Sequence, residues 1–203
     1  MSWARVLPRS FYDREPAEVA RDLLGAVVEV TTADGLVALR LVETEAYAGE
    51  DDPASHAWRG PTPRTQVMFG PPGHAYVYFS YGMHWALNVV TGPEGHAGAV
   101  LLRSAQVVRG EDLARARRRP GTATTRLASG PANLAVALGL DGSWSGADVT
   151  RPSGALRVRV GTAVDDGDVV IGPRVGISRG MTTPWRFRVA SNPHVSGPRR
   201  TGG

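Results

Sequence analysis

The sequence predicts an α+β fold: a mostly antiparallel β-sheet flanked by short helices. Three observations predict it. Strand-like and helix-like runs are mixed along the chain without the strand–helix–strand rhythm that a parallel sheet requires. Two apolar-rich runs, AVVEV from Ala26 and LVALRLVETEAY from Leu36, flank a tight turn at Ala33-Asp34-Gly35, which is a hairpin signature. No linker rich in proline, glycine or serine divides the 203 residues. Residues 1–203 therefore read as one domain, long enough to bury a core without disulfide staples.

The first helix is expected from about Pro16 to Leu24. Proline suits a first helical turn, Val19, Ala20, Leu23 and Leu24 form an apolar stripe, and Gly25 ends it. The hairpin follows, and then a loop with five prolines from Gly49 to Gly73. Two aromatic-rich strands are expected near Ala75–Tyr81 and His84–Val90, separated by Gly82-Met83. A strongly apolar strand, AVLLRSAQVV, starts at Ala99. Glu111–Arg119 reads as a short basic helix, and RRPGTATTR from Arg118 as a flexible basic loop. A further helix starts after Ser129, with Pro131 in its first turn, and ends at Gly139. LRVRV, DVVIG, RVGIS and RFRVA, beginning at Leu156, Asp168, Arg174 and Arg186, read as short strands. The tail SGPRRTGG from Ser196 reads as frayed, with about 197–203 disordered.

Composition narrows the chemistry. There is no cysteine, which excludes a disulfide scaffold, a thiol nucleophile and cysteine-ligated zinc or iron–sulfur sites. All 23 basic residues are arginine, so no side-chain amine can form a Schiff base and no P-loop lysine can hold a phosphate. Codon bias in a GC-rich genome explains that absence as well as selection does. Residues 1–100 hold 7 Arg against 12 acids, a net −5, whereas residues 101–203 hold 16 Arg against 7 acids, a net +9. So basic a half points to an anionic partner, with nucleic acid first. Arg115–Arg119 and Arg186–Arg188 are candidate phosphate contacts. No stretch approaches 18 apolar residues, and no membrane partner is expected. The N-terminus carries charges and prolines where a signal peptide needs an apolar run, so a cytoplasmic, nucleoid-associated protein is expected.

Four groups of residues can carry chemistry. Side chains alternate along a strand, so Glu43, Glu45 and Tyr47 share one face. Such a carboxylate can activate water as a general base, and a solvent-facing row on an edge strand is the plainer alternative. Tyr76, Tyr78 and Tyr81 bring three of the five tyrosines within six residues. Their rings can stack on nucleobases or simply pack a half-buried sheet, and a tyrosine at a hairpin tip can project into a duplex. The five histidines are scattered without zinc-ligand spacing, and Glu50-Asp51-Asp52 is an ordinary solvated run unless it holds magnesium, so no metal is expected. Asn88 sits inside a strand, where its amide must be satisfied; it can read a ligand's edge or cap a turn.

Taken in order, these stretches resemble the alkyladenine (3-methyladenine) DNA glycosylase family. The resemblance rests on VETEAY from Val42, then Asp52 and His56, then TPRTQVMFGPPGHAYVYFSYGMHWALNVV from Thr62, then GAVLLRS from Gly98. LPRSFYDREPAEVARDLLG near the start, SGPANLAVALG from Ser129 and NPHVSG from Asn192 extend it over nearly the whole chain. It implies a single-domain mixed fold with a curved antiparallel sheet, no cofactor, a monomer, and double-stranded DNA carrying alkylated purines as the substrate. Glu45 matches the family's water-activating glutamate, and Arg103 an arginine near that water and the target phosphate. Tyr47, His56 and Tyr78 match the residues lining the pocket for the flipped base. Tyr81 matches the wedge that fills the gap in the duplex, and Asn88 the asparagine that crowds the 2-amino group of normal guanine. Residue spacing alone does not choose between Glu43 and Glu45. The same residues admit a lesion-binding module without catalysis, or a metal-dependent nuclease using Glu43, Glu45, Asp51, Asp52 and His56. Without lysine, only the water-using, monofunctional type of glycosylase is expected.

Overall fold

The computed structural model describes residues 5–80 and 82–197. Among them are helices α1 (Arg9–Tyr12), α2 (Pro16–Asp22), α3 (Glu111–Ala116) and α4 (Pro131–Leu138). The strands are β1 (Val27–Thr32), β2 (Gly35–Ala48), β3 (Ala75–Ser80), β4 (His84–Thr91), β5 (Gly98–Arg109), β6 (Leu156–Arg159), β7 (Val169–Gly172) and β8 (Arg186–Val189). They form one sheet, ordered β3-β4-β5-β2-β1-β6, and β8 joins it on β2 and carries β7. Every pairing is antiparallel. The α+β expectation is met.

Strand β2 organises the molecule. Its first half pairs with β1, from Gly35 to Arg40, and its second half pairs with β8 from Glu43 to Glu45. Along nearly its whole length it also pairs with β5. The glutamates therefore lie on an internal strand, not an edge. The β2–β5 register skips Val42 on one strand and Arg103 on the other. That irregularity changes which alternate residues face the core. Before it, Val37, Leu39 and Leu41 enter the main hydrophobic cluster. After it, Ala46 enters that cluster and Thr44 donates its hydroxyl to the Ala20 carbonyl of α2 at 2.7 Å. Glu43, Glu45 and Tyr47 are thereby turned to the opposite side. A one-residue slip reverses every side chain beyond it, and bulges often re-aim residues beside active sites.

Helix α2 packs against β2 and β5, and α4 against β4 and β5, which places the main core beneath one face of the sheet. A smaller cluster, including Met68, Tyr76, Val90 and Ala99, supports the other side under the proline-rich loop.

Three local expectations are corrected. The helix expected over Glu111–Arg119 ends at Ala116; Pro120 disfavours helical backbone at the residue before it, and Arg117 is drawn away to the Ala137 carbonyl and the Thr32 hydroxyl. RVGIS from Arg174 is not a strand but a loop, turned by Gly176 at φ +77° and tied down through Arg174. The tail does not fray from Ser196, because that residue is bonded to Glu43. Gly197 is described and exposed; 198–203, and Tyr81, the expected wedge, lie outside the described residues. No helix among the described residues is long and apolar enough to cross a membrane.

Candidate active site

A cleft of about 1140 Å³ opens on the face of β2 turned away from the main core. Tyr47, His56, Tyr78, Asn88 and Arg103 all line it, as do Arg64, Tyr76, Ser129, Val175 and Ser196. Five of the residues singled out in the sequence are thus brought together. Glu45 lies directly beneath this surface and is completely buried.

The floor is a carboxylate–guanidinium–carboxylate bridge. Arg103 donates from Nε to Glu43 at 3.1 Å and from Nη1 to Glu45 at 3.2 Å. Both carboxylates are fully buried, and an unpaired pair would be prohibitive there. The two are held differently. Glu43 accepts from Arg103, Arg186 Nε (2.7 Å) and the Ser196 hydroxyl (2.9 Å) on Oε1, and from the Ser196 amide (2.7 Å) on Oε2. Burial pushes its pKa up, but Arg103, Ser196 and Arg186 together outweigh that and hold it below the ordinary carboxylate value. Glu45 accepts from the Val175 amide on Oε1 at 2.7 Å, and from Arg103 and the Tyr47 hydroxyl (3.0 Å) on Oε2. For Glu45 burial prevails over Arg103 and these hydrogen bonds, so its pKa is raised. Neighbouring carboxylates whose affinities for protons are pushed apart are suited to different roles. Arg103 is itself held protonated: burial disfavours its charge, but the two glutamates overcome that.

The walls are aromatic. Tyr76 and Tyr78 stack with centroids 5.3 Å apart, and His56 meets Tyr78 edge-on at 4.4 Å. His56 Nδ1 lies 3.1 Å from the Tyr76 hydroxyl. Arg64 also hydrogen-bonds Tyr76, so the phenolic oxygen links the imidazole to a guanidinium. Burial, with Arg64 adding to it, lowers the His56 pKa to about 4, so the ring is neutral at physiological pH. Burial above all, then Glu45, keeps the Tyr47 phenol protonated. Asn88 donates from its amide to the Tyr76 carbonyl at 3.1 Å, which fixes its orientation in the cleft wall.

The family model described as methylpurine-DNA glycosylase matches residues 10–193. The chain belongs to the methylpurine-DNA glycosylase family. Relatives provisionally named 3-methyladenine DNA glycosylase bear this out along most of the chain. One from Streptomyces avermitilis is 50% identical over 192 residues, covering 94% of this chain and 90% of the relative. One from Frankia casuarinae is 51% identical, covering 93% and 91%. A third, from Cutibacterium acnes, is 53% identical, covering 90% and 95%.

For this member of the methylpurine-DNA glycosylase family, sequence reasoning missed three participants. Val175 supplies an amide to Glu45, Arg174 anchors the loop carrying it, and Ser196 secures Glu43. Pro173, Gly176 and Gly180 around RVGIS were the available sign that it is a loop. Arg186, a candidate phosphate contact, instead turns inward to Glu43 and the Ser196 carbonyl. Arg115 pairs with Glu111 and the Thr122 carbonyl. Three of the four carboxylates named for a metal site are bound to cations: Glu43 and Glu45 to Arg103, Asp52 to Arg174. No group of three or more His, Asp or Glu among the described residues is arranged to hold a metal.

Proposed function

We propose that this protein is a monofunctional DNA glycosylase of base excision repair. It extrudes alkylated purines, 3-methyladenine and its relatives, from duplex DNA and hydrolyses the N-glycosidic bond with a water activated by Glu45, leaving an abasic site. The observation that carries the reading is a buried carboxylate of raised pKa, paired with Arg103, directly under an aromatic cleft.

A base inside a duplex is out of reach, and extruding it costs a few kcal/mol. Stacking against Tyr47 and Tyr78 offsets part of that cost, at about 1–3 kcal/mol per base. Phe79 and Met83, which lie either side of Tyr81 in the sequence, are exposed apolar side chains suited to entering a base step, and the wedge role goes to Tyr81. Alkylation at N3 or N7 makes the purine cationic and a good leaving group, so departure needs little acid assistance. The sugar acquires oxocarbenium character, which an ionised Glu45 stabilises while it takes the proton of the attacking water. Oε1 of Glu45 accepts one hydrogen bond among the described residues, which leaves a lone pair for that water. His56, a neutral imidazole in the cleft wall, offers a hydrogen bond to the base or its sugar. The basic half of the chain grips the phosphates, and binding falls with added salt.

The deciding experiment is base release from duplexes carrying a panel of alkylated purines. Release of 3-methyladenine, unaffected by EDTA and with no borohydride-trapped adduct, is the expected result. Lesion binding without release would replace the reading with a binding module, loss of activity in EDTA would favour a metal-dependent nuclease, and a trapped adduct would refute the monofunctional chemistry.

Asn88 provides a specificity test. An Asn88→Ser variant, with a smaller side chain in the same wall, is expected to release undamaged guanine about 10-fold faster than wild type, at the lower end of the roughly 10–200-fold that one small pocket group commands. Selectivity measured on unmodified DNA decides it, and an unchanged ratio would remove Asn88 from the discrimination role.

A further inference from the structure

We propose that the buried ion pair between Asp52 and Arg174 is a positioning latch that sets the basicity of Glu45. The inference rests on the reading of Glu45 as the general base. Val175 lies in a loop without regular structure, yet its amide meets Glu45 Oε1 at 2.7 Å. The preceding residue holds it there. The Arg174 side chain has no exposed surface and grips both oxygens of Asp52, one of them at 2.9 Å from Nη2. It also donates to the Ala46 carbonyl of β2 at 2.9 Å. Its guanidinium lies 4.6 Å from the Tyr47 ring centre and 5.3 Å from that of Trp185.

The latch joins the two loops that flank the catalytic strand. Asp52 accepts from the amide of Ala54 at 3.0 Å and from that of Ala48 at 3.4 Å, fixing the segment that leads to His56. On the other side, Arg174 reaches the carbonyl of Gly180 at 3.4 Å, so both ends of the Val175 loop are tied to one carboxylate. Gly180 has φ +57°, and a side chain there would lie 3.0 Å from Arg174 Nη2 and 3.4 Å from Asp52 Oδ1. Arg174 also settles against the ring of Tyr47, whose hydroxyl donates to the other oxygen of Glu45. Two of the three donors on Glu45 thus depend on the latch, and the third is Arg103. The charged or titratable groups facing Glu45 are Arg103, Glu43 and Tyr47, with Arg186 acting on Glu43. None of them replaces the Val175 amide.

A carboxylate that loses a hydrogen bond to its ionised form becomes a weaker acid. An Asp52→Asn variant keeps the shape and removes the charge that holds the fork. Its acid limb is expected about one to two pH units higher, so that release at a pH below both limbs slows about 10- to 100-fold. Carbon-13 NMR titration of the Glu45 carboxylate should move by the same amount, and hydrogen exchange at the Val175 amide should accelerate. Arg174→Lys, which keeps the charge but loses the fork, should move all three part-way and serves if Asp52→Asn does not fold. A folded variant in which the Glu45 titration and Val175 exchange stay at wild-type values overturns the latch, whatever its melting temperature. If the titration moves but the pH–rate profile does not, the latch stands as a structural device, and both Glu45's role as base and the catalytic part of this inference are overturned.

Discussion

A Glu45→Gln variant is expected to release 3-methyladenine at least about 10²–10⁴-fold more slowly than wild type, the range attached to a positioned general base, while still binding the lesion duplex. Glutamine preserves the shape of the side chain, and Arg103 stays paired with Glu43 at 3.1 Å. An amide offers one acceptor oxygen where the carboxylate had two, so one donor among Val175, Tyr47 and Arg103 loses its partner. Loss of a buried charge of raised pKa offsets part of that deficit. The fold should therefore survive. Single-turnover release, a binding isotherm and a melting curve check the three statements. A variant that cuts at the wild-type rate would move the role to Glu43. The surroundings speak against that alternative: among the described residues Glu43 accepts four hydrogen bonds against three at Glu45, and its pKa is lowered, so it is the weaker base. Glu43→Gln should slow release less, through a loosened Arg103.

The choice between the two glutamates was not legible in the sequence, and the reason is physical. Alternation places Glu43, Glu45 and Tyr47 on one face whichever of them reacts. It also places Leu39 and Leu41 on that same face, which would drive the glutamates into the core. The irregularity at Val42 and Arg103 resolves the conflict, and nothing in a run of apolar residues marks where a register will slip. What was legible was local. The hairpin turn, the helix begun by Pro131 and the long apolar strand all follow from short-range pattern, and their ends fall within a few residues of expectation. What was hidden depends on distant partners. Arg174 and Asp52 are 122 positions apart, and Ser196 and Glu43 are 153 apart. A buried arginine looks like a surface one until its carboxylate is found. That also explains why the charge of the second half overstates what it can present to DNA: Arg103, Arg174 and Arg186 are turned to internal acids.

Replacing Arg103 by methionine is expected to have the second large effect, and to separate charge from structure at the site. Both glutamates would lose a shared cation while remaining fully buried. Breaking one side of such a cluster costs about 3–5 kcal/mol. For a domain of this size that corresponds to a drop in melting temperature on the order of 10 °C. Glu43 would keep Arg186 and Ser196, whereas Glu45 would keep only the Val175 amide and the Tyr47 hydroxyl. Glu45 is then the group that takes up a proton, adding to a pKa that burial already raises. The sign of the pH dependence follows. A group whose pKa is higher folded than unfolded binds more protons in the folded state, so its contribution is fully present below the unfolded value and is lost as pH rises through the folded one. The gap in melting temperature between wild type and Arg103→Met should therefore widen from pH 5 to pH 8. Activity should run the other way. At neutral pH the variant should be nearly as slow as Glu45→Gln, because its base is protonated, yet its rate should climb with alkali as Glu45 ionises. Glu45→Gln has nothing to ionise and should stay flat. Melting curves and single-turnover rates at matched pH values test both arms. A stability gap that does not change with pH, together with a flat rate profile, would mean that Glu45 is not the group Arg103 keeps ionised.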